Sequence, residues 1–360
     1  MEMSGALGRT INIRLVLWLL AISITGCTGQ KTSTGSSAIG RRIDVKRVLS
    51  WLPPDTETLL VANGPFWMSS FQIGPQGVKN DEVTIEVLEK QFEALTLGLF
   101  NSGKGRLEKH LEGKKVLFAL EGSRHFRPPA GLGELPYEGC ALAIFEDDLD
   151  DRRDAFMKDA AQGAVRIAEI EGQKVAVFQE EMELEIWTTF VAFPQKGVVV
   201  VATNEKFLRQ LLSRMRVAGG EIAFPDGLPE WKYVNKEAHF WGLRHFDRLQ
   251  AKEDPTSPFG GRKSANIPDD EAVGLTYQCT PSRERMATLT YLSGAGAKIT
   301  KIEEERFPSS SEPGLTAGLH IQHKELEPGV IQSTYDLSRS RPLGWFIFVF
   351  MANLGHAIYI

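Results

Sequence analysis

An α+β fold of two related halves, each a mostly antiparallel sheet with packed helices, is what this sequence predicts. Three observations carry that expectation. Short runs of alternating apolar and polar residues are joined by tight turns such as Glu171-Gly172 and Pro194-Gln195-Lys196-Gly197, which favours antiparallel pairing. Stretches with helical spacing fall between groups of strands rather than after every strand. Finally, WLPPDTETLLVANGPF (Trp51 to Phe66) and WKYVNKEAHFWGLRHF (Trp231 to Phe246) align without a gap, matching Trp51 with Trp231, Glu57 with Glu237 and Phe66 with Phe246.

Taken in order, the first half opens with a strand at about 57–63. A helix near 82–99 follows, with Ile85, Leu88, Phe92, Leu95 and Leu99 on one side, then a short one at 104–111. Strands are expected at 115–121 and 139–146. Asp148 then caps a helix from Leu149 to Ala161, with Asp151 in its first turn. Strands at 164–170, 174–179, 184–193 and 197–202 lead to a helix opening at Asn204, where Phe207, Leu208, Leu211, Leu212 and Met215 recur at helical spacing. The second half offers strands at 236–243, 271–279, 285–292, 315–322 and 329–336, a weak helix near 298–306 and a closing helix from Leu343. That last stretch, Leu343 to Ile360, carries no formal charge. A span would leave Arg339 and Arg341 on the exported side, against the positive-inside pattern, so a buried closing helix is preferred to a membrane-inserted or interfacial one.

The amino terminus has its own logic. Arg9 and Arg14 precede an apolar run of ten residues, Leu15 to Ile24, too short for a bilayer span of about 20. ISITGC (22–27) closes it. This stretch resembles the lipobox of bacterial lipoproteins: Ile24 takes the aliphatic place, Thr25 and Gly26 the small ones, Cys27 the modified one. The resemblance implies a thioether-linked diacylglyceryl group on Cys27, cleavage between Gly26 and Cys27, and anchoring to a membrane by acyl chains, which hold stably when there are two or more. Thr28, rather than Asp, after the cysteine implies the periplasmic side of the outer membrane in a diderm cell, and the outer face of the cell membrane otherwise. The competing reading is an ordinary secretory signal with a chance cysteine. Organisation follows: 1–26 signal peptide, 27–46 lipidated cysteine and flexible tether rich in Gly, Ser and Thr, 47–225 and 226–360 the two halves.

Removing residues 1–26 takes Glu2, Arg9 and Arg14, leaving 39 basic and 45 acidic residues, net −6. An acidic chain with no basic stripe excludes nucleic acid as an expected partner. Cys140 and Cys279 are left; they could pair, or serve as small buried thiols.

No constellation points to catalysis, and no cofactor is expected. GLFNSGKG (98–105) follows a phosphate loop as far as Lys104, then has Gly105 where Ser or Thr belongs. On a strand, His320 and His323 point to opposite faces, and His239 and His245 lack further ligands nearby, so no metal site is expected. EDDLDDRRD (146–154) lacks the glycine and terminal Glu of a calcium loop. The loop EGSRHFRPPAGLGELPYEG (121–139) is long and displays Arg124, His125, Phe126, Arg127 and Tyr137, side chains suited to recognising an anionic or protein partner. Its alternative role is a proline-rich cover on a sheet end. The functional expectation is therefore a lipid-anchored envelope protein, non-enzymatic, binding a partner or serving a structural role. The alternatives are a carrier or sensor of an apolar ligand such as lipid, motivated by 20 phenylalanines, and, behind it, an exported hydrolase.

Overall fold

The computed structural model describes residues 43–67, 106–125, 137–163, 166–182, 185–217, 222–238, 240–245, 272–280, 286–293 and 320–336. Within them lie twelve strands: β1 Thr58–Trp67, β2 Lys115–His125, β3 Tyr137–Phe145, β4 Arg166–Ile170, β5 Gln173–Met182, β6 Glu185–Gln195, β7 Val198–Ala202, β8 Phe240–His245, β9 Ala272–Thr280, β10 Met286–Ser293, β11 His320–Glu327 and β12 Val330–Asp336. Four helices accompany them, α1 Val45–Leu49, α2 Arg106–Leu111, α3 Asp150–Gly163 and α4 Glu205–Arg216, with a 3-10 turn at Pro229–Tyr233. The helices expected near 82–99 and 298–306 and from Leu343 lie outside the described residues, as do Cys27 and the tether up to residue 42, whereas α1, capped by Asp44, begins inside the stretch expected to be tether.

All twelve strands form one sheet in the order β11-β12-β10-β9-β8-β1-β2-β3-β7-β6-β5-β4. Every pairing in it is antiparallel. An antiparallel sheet with helices packed on it is the α+β class. The central seam is β1 against β8, with Leu59 opposite Leu243 and Val61 opposite Trp241. The sheet therefore runs unbroken past residue 225, and the two expected sheets are one.

Local chemistry explains the elements. The β4–β5 hairpin turns on Glu171 and Gly172, both at positive φ (50° and 66°), the geometry of a two-residue turn that matches strand twist. Asn204 caps α4, its side-chain oxygen accepting from the amides of Lys206 and Phe207. Its apolar stripe, Phe207, Leu208, Leu211 and Leu212, is buried. It joins Leu142, Val200, Ala202 and Ala192 from the sheet, and Val48, Leu49, Trp51 and Leu52 from α1 and the turn after it, in one core. The guanidinium of Arg214 donates to the Ser50 carbonyl (3.0 Å) and so links α4 to α1. The opposite face of β5 and β6 is covered by α3, whose Phe156 meets Phe178 and Phe193 with ring centroids 6.1 and 5.6 Å apart. Strand β7 (VVVVA), covered on both faces, is buried along its whole length.

Cys140 and Cys279 do not pair. Cys140 is a free, buried thiol on β3, and Cys279 stands on β9, four strands away. At about 4.8 Å per strand that is roughly 19 Å, against the 7 Å limit between α-carbons of a disulfide.

Candidate functional site

Where β1 begins, its neighbours bring charged residues into one row. Arg124 on β2 faces Glu138 on β3 in the register, and Glu57, one residue ahead of β1, lies between the ends of β2 and β8. The backbone closes around the row: Glu57 donates its amide to the Ser123 carbonyl (2.9 Å), and His245 donates to the Glu57 carbonyl (2.8 Å). Because side chains alternate along a strand, Arg124, Glu138 and His245 share the face that carries Leu59, Leu120, Cys140 and Leu243. That face is the one α4 and the 3-10 turn cover.

Arg124 is the pivot. Its Nε donates to Glu138 Oε2 (2.7 Å), a second nitrogen reaches the same carboxylate, and a third reaches Asp55. The Arg124 and Glu138 side chains are 8% and 3% exposed, whereas Asp55 is 46% exposed. Its guanidinium carbon lies 5.3 Å from the ring centre of Phe207 on α4. Burial works against the charge, but the hydrogen bonds that it donates to Asp55 and Glu138 outweigh burial and hold the guanidinium protonated more firmly than a free one. At the end of the row, Thr203 Oγ1 accepts from the Gly139 amide (3.0 Å), fastening β3 to the approach of α4.

The row's other pole is His245. Its Nδ1 lies 2.7 Å from Oε1 of Glu230, a residue of the 3-10 turn with no exposed surface. Next to this pair, Trp231 packs on Trp241 with ring centroids 6.0 Å apart. Asn63 on β1 fastens the same segment by donating to the carbonyls of Lys236 (2.8 Å) and Ala238 (2.7 Å).

The loop residues expected to recognise a partner are distributed as follows. Arg124 is at the base of the loop and buried in its ion pairs rather than displayed. His125 and Tyr137 face each other as the last pair of the β2–β3 ladder. Phe126 and Arg127 lie outside the described residues, as do Gly26, Cys27, the 98–105 stretch and His239. His320 and His323 sit on β11, and His323 Nδ1 is 3.0 Å from Ser333 Oγ on β12. Of the 146–154 run, Glu146, Asp147 and Asp148 pair with Lys115, Lys114 and Lys196. Among the described residues no three His, Cys, Asp or Glu side chains are grouped to hold a metal, and no helix is long and apolar enough to cross a membrane.

Sequence reasoning passed over Asp55, Glu57, Glu138 and Glu230 as site residues; they come from three separate segments. A weak signal exists: Glu121 and Glu138 flank apolar runs tightly enough that a charge there must be paired on folding. Cys140, in the same layer, is held by burial and by nearby Glu121 well above the ordinary thiol range, so it is a packing group, not a nucleophile.

No family model, curated protein or solved structure matches the chain.

Proposed function

We propose that the chain is a bacterial lipoprotein whose folded body serves a non-enzymatic, partner-binding or structural role at the cell envelope. The single observation that carries this is ISITGC (22–27) at the end of a ten-residue apolar run, followed by the polar stretch 28–40. Such a leader delivers a body to a membrane through acyl chains and leaves it to work beside the bilayer. The candidate site supports the non-enzymatic part of the reading. Arg124, Glu138 and Asp55 spend their charge on one another, as groups do when they brace a fold.

The body is read as two related halves. Outward from the central seam one side runs β1-β2-β3-β7-β6 and the other β8-β9-β10-β12-β11, the same connectivity once the β4–β5 hairpin is set aside. Val61 and Trp241 face each other at the seam, 180 positions apart (241 − 61), the offset that also separates Trp51 from Trp231 (231 − 51). A local twofold axis through that pair would exchange the halves, as it exchanges subunits of an isologous dimer.

Metabolic labelling with an alkyne fatty acid tests the anchor. Wild-type protein is expected to take up label and to sediment with membranes, and Cys27→Ala to do neither. Equal labelling of both, or a wild-type protein released freely into the medium, overturns the proposal. Crosslinking in whole cells followed by recovery from detergent extracts tests the role, with reproducible specific partners as the expected result.

A further inference from the structure

We propose that Glu230 and His245 form a proton-dependent latch, holding the segment that crosses from one side of the sheet to the other down on its central strands. Glu230 is fully out of solvent on the 3-10 turn, and one of its oxygens accepts from His245 at 2.7 Å. The other, Oε2, is buried with no hydrogen-bond partner. A carboxylate removed from water is costly unless an opposite charge or several hydrogen bonds offset the loss, so the charge on His245 decides how well Glu230 is tolerated.

Among the described residues, the elements packed around His245 bring these groups near it. From the 3-10 turn comes Glu230, while Lys232 on the same turn is engaged with Glu327. From the residue ahead of β1 comes the Glu57 carbonyl, which accepts from the His245 amide. From β9 comes Gly274, which has no side chain. On β8 itself, Arg244 precedes His245 and so lies on the other face. One strand beyond Glu57, Arg124 is bound to Asp55 and Glu138. The side chain that the structure sets against the imidazole is the Glu230 carboxylate at 2.7 Å, and a negative charge at that distance favours the protonated form.

The sign follows from linkage. A proton held more tightly in the folded than in the unfolded chain stabilises the fold fully below the unfolded imidazole's midpoint, about 6.5, and that contribution is lost as pH rises through the folded one. His245 is 31% exposed, so its proton can leave without global unfolding. What the latch secures is the Trp231–Trp241 contact; Trp241 has no exposed surface while the turn is closed.

Thermal unfolding of the full chain at about pH 5.5 and about pH 8.5, on either side of that midpoint, tests this in wild type, His245→Gln and Glu230→Gln. The wild-type midpoint is expected to fall by at least about 2 °C toward the higher pH. His245→Gln should lose most of this dependence, and Glu230→Gln should abolish or reverse it, since a protonated imidazole then faces a neutral amide. A dependence unchanged in both variants overturns the latch. If neither variant folds, hydrogen exchange of the wild-type protein decides, corrected for the intrinsic rate. Protection lost selectively over 229–245 at the higher pH supports the proposal, and protection that is unchanged, or lost evenly across the sheet, sinks it.

Discussion

Arg124 shows how one residue can be misread from sequence and informative in structure. In a list of loop residues it looks like a recognition group. In the fold it neutralises Glu138 beneath α4 and leaves little surface to offer. Removing one member of such a buried pair strands the other, at a typical cost of about 3–5 kcal/mol. Arg124→Met and Glu138→Gln are each expected to lower stability on that scale in urea unfolding, and Asp55→Asn to cost clearly less, because its carboxylate is half in water. The double replacement of Arg124 and Glu138 by apolar residues should cost less than the sum of the singles, since no charge is stranded. Cys140 makes a second residue-scale prediction. With no exposed surface and its ionisation opposed by burial and by Glu121, it should resist an aromatic disulfide reagent in the native state and react once the chain is unfolded in denaturant.

At the scale of elements, α4 carries the first half's core, and its amino-terminal cap is the cheapest place to test that. Asn204→Ala removes the acceptor for two amides and is expected to cost about 1 kcal/mol, whereas Leu211→Ala opens the fully buried stripe and should cost about 2–5 kcal/mol. Urea midpoints measured at constant slope separate the two. Elements far apart in the chain are also tied by exposed ion pairs. Lys46 on α1 holds Asp226, Lys196 after β6 holds Asp148 before α3, and Lys232 of the 3-10 turn holds Glu327 on β11. The lysine partners keep all three carboxylates below their ordinary range, through hydrogen bonds first and charge second. Groups shifted downward contribute stability above their unfolded values, about 3.9 for Asp and 4.3 for Glu, and lose it as pH falls through the folded ones. Thermal midpoints should therefore drop from about pH 5 toward pH 3, and added salt should shrink the drop because the pairs face solvent.

At the scale of the whole molecule, what the sequence made legible was periodicity and punctuation. Alternation and turn residues foretold β2 to β7, β9, β10 and β12 to within a few residues, while β11 starts at His320, five residues later than expected. The Glu171-Gly172 turn and the Asn204 cap are where the expected chemistry put them. Strand β8 begins at Phe240, later than expected, because the polar stretch WKYVNKEA is spent on the 3-10 turn and the crossing that follows it. Strand order was not legible. No local pattern says that β1 pairs with β8, a partner chosen by burial on both faces rather than by a turn. The charged groups were hidden for the same reason, since the Arg124–Glu138 pair of β2 and β3 and His245 on β8 come to flank the start of β1 only through that order.

The central seam also has a history in time. Thr58 leaves the ribosome about 180 residues before Phe240, its partner strand's first residue, a wait of roughly 9–36 s at 5–20 residues per second. Once β2 has followed, one flank of β1 is paired with it, and the flank that β8 takes in the finished sheet waits for the rest of the interval. A nascent or prematurely stopped chain thus carries a bare, apolar ribbon edge, LLVA, able to template another molecule. Whatever cell makes this protein has to shield that edge until the second half arrives.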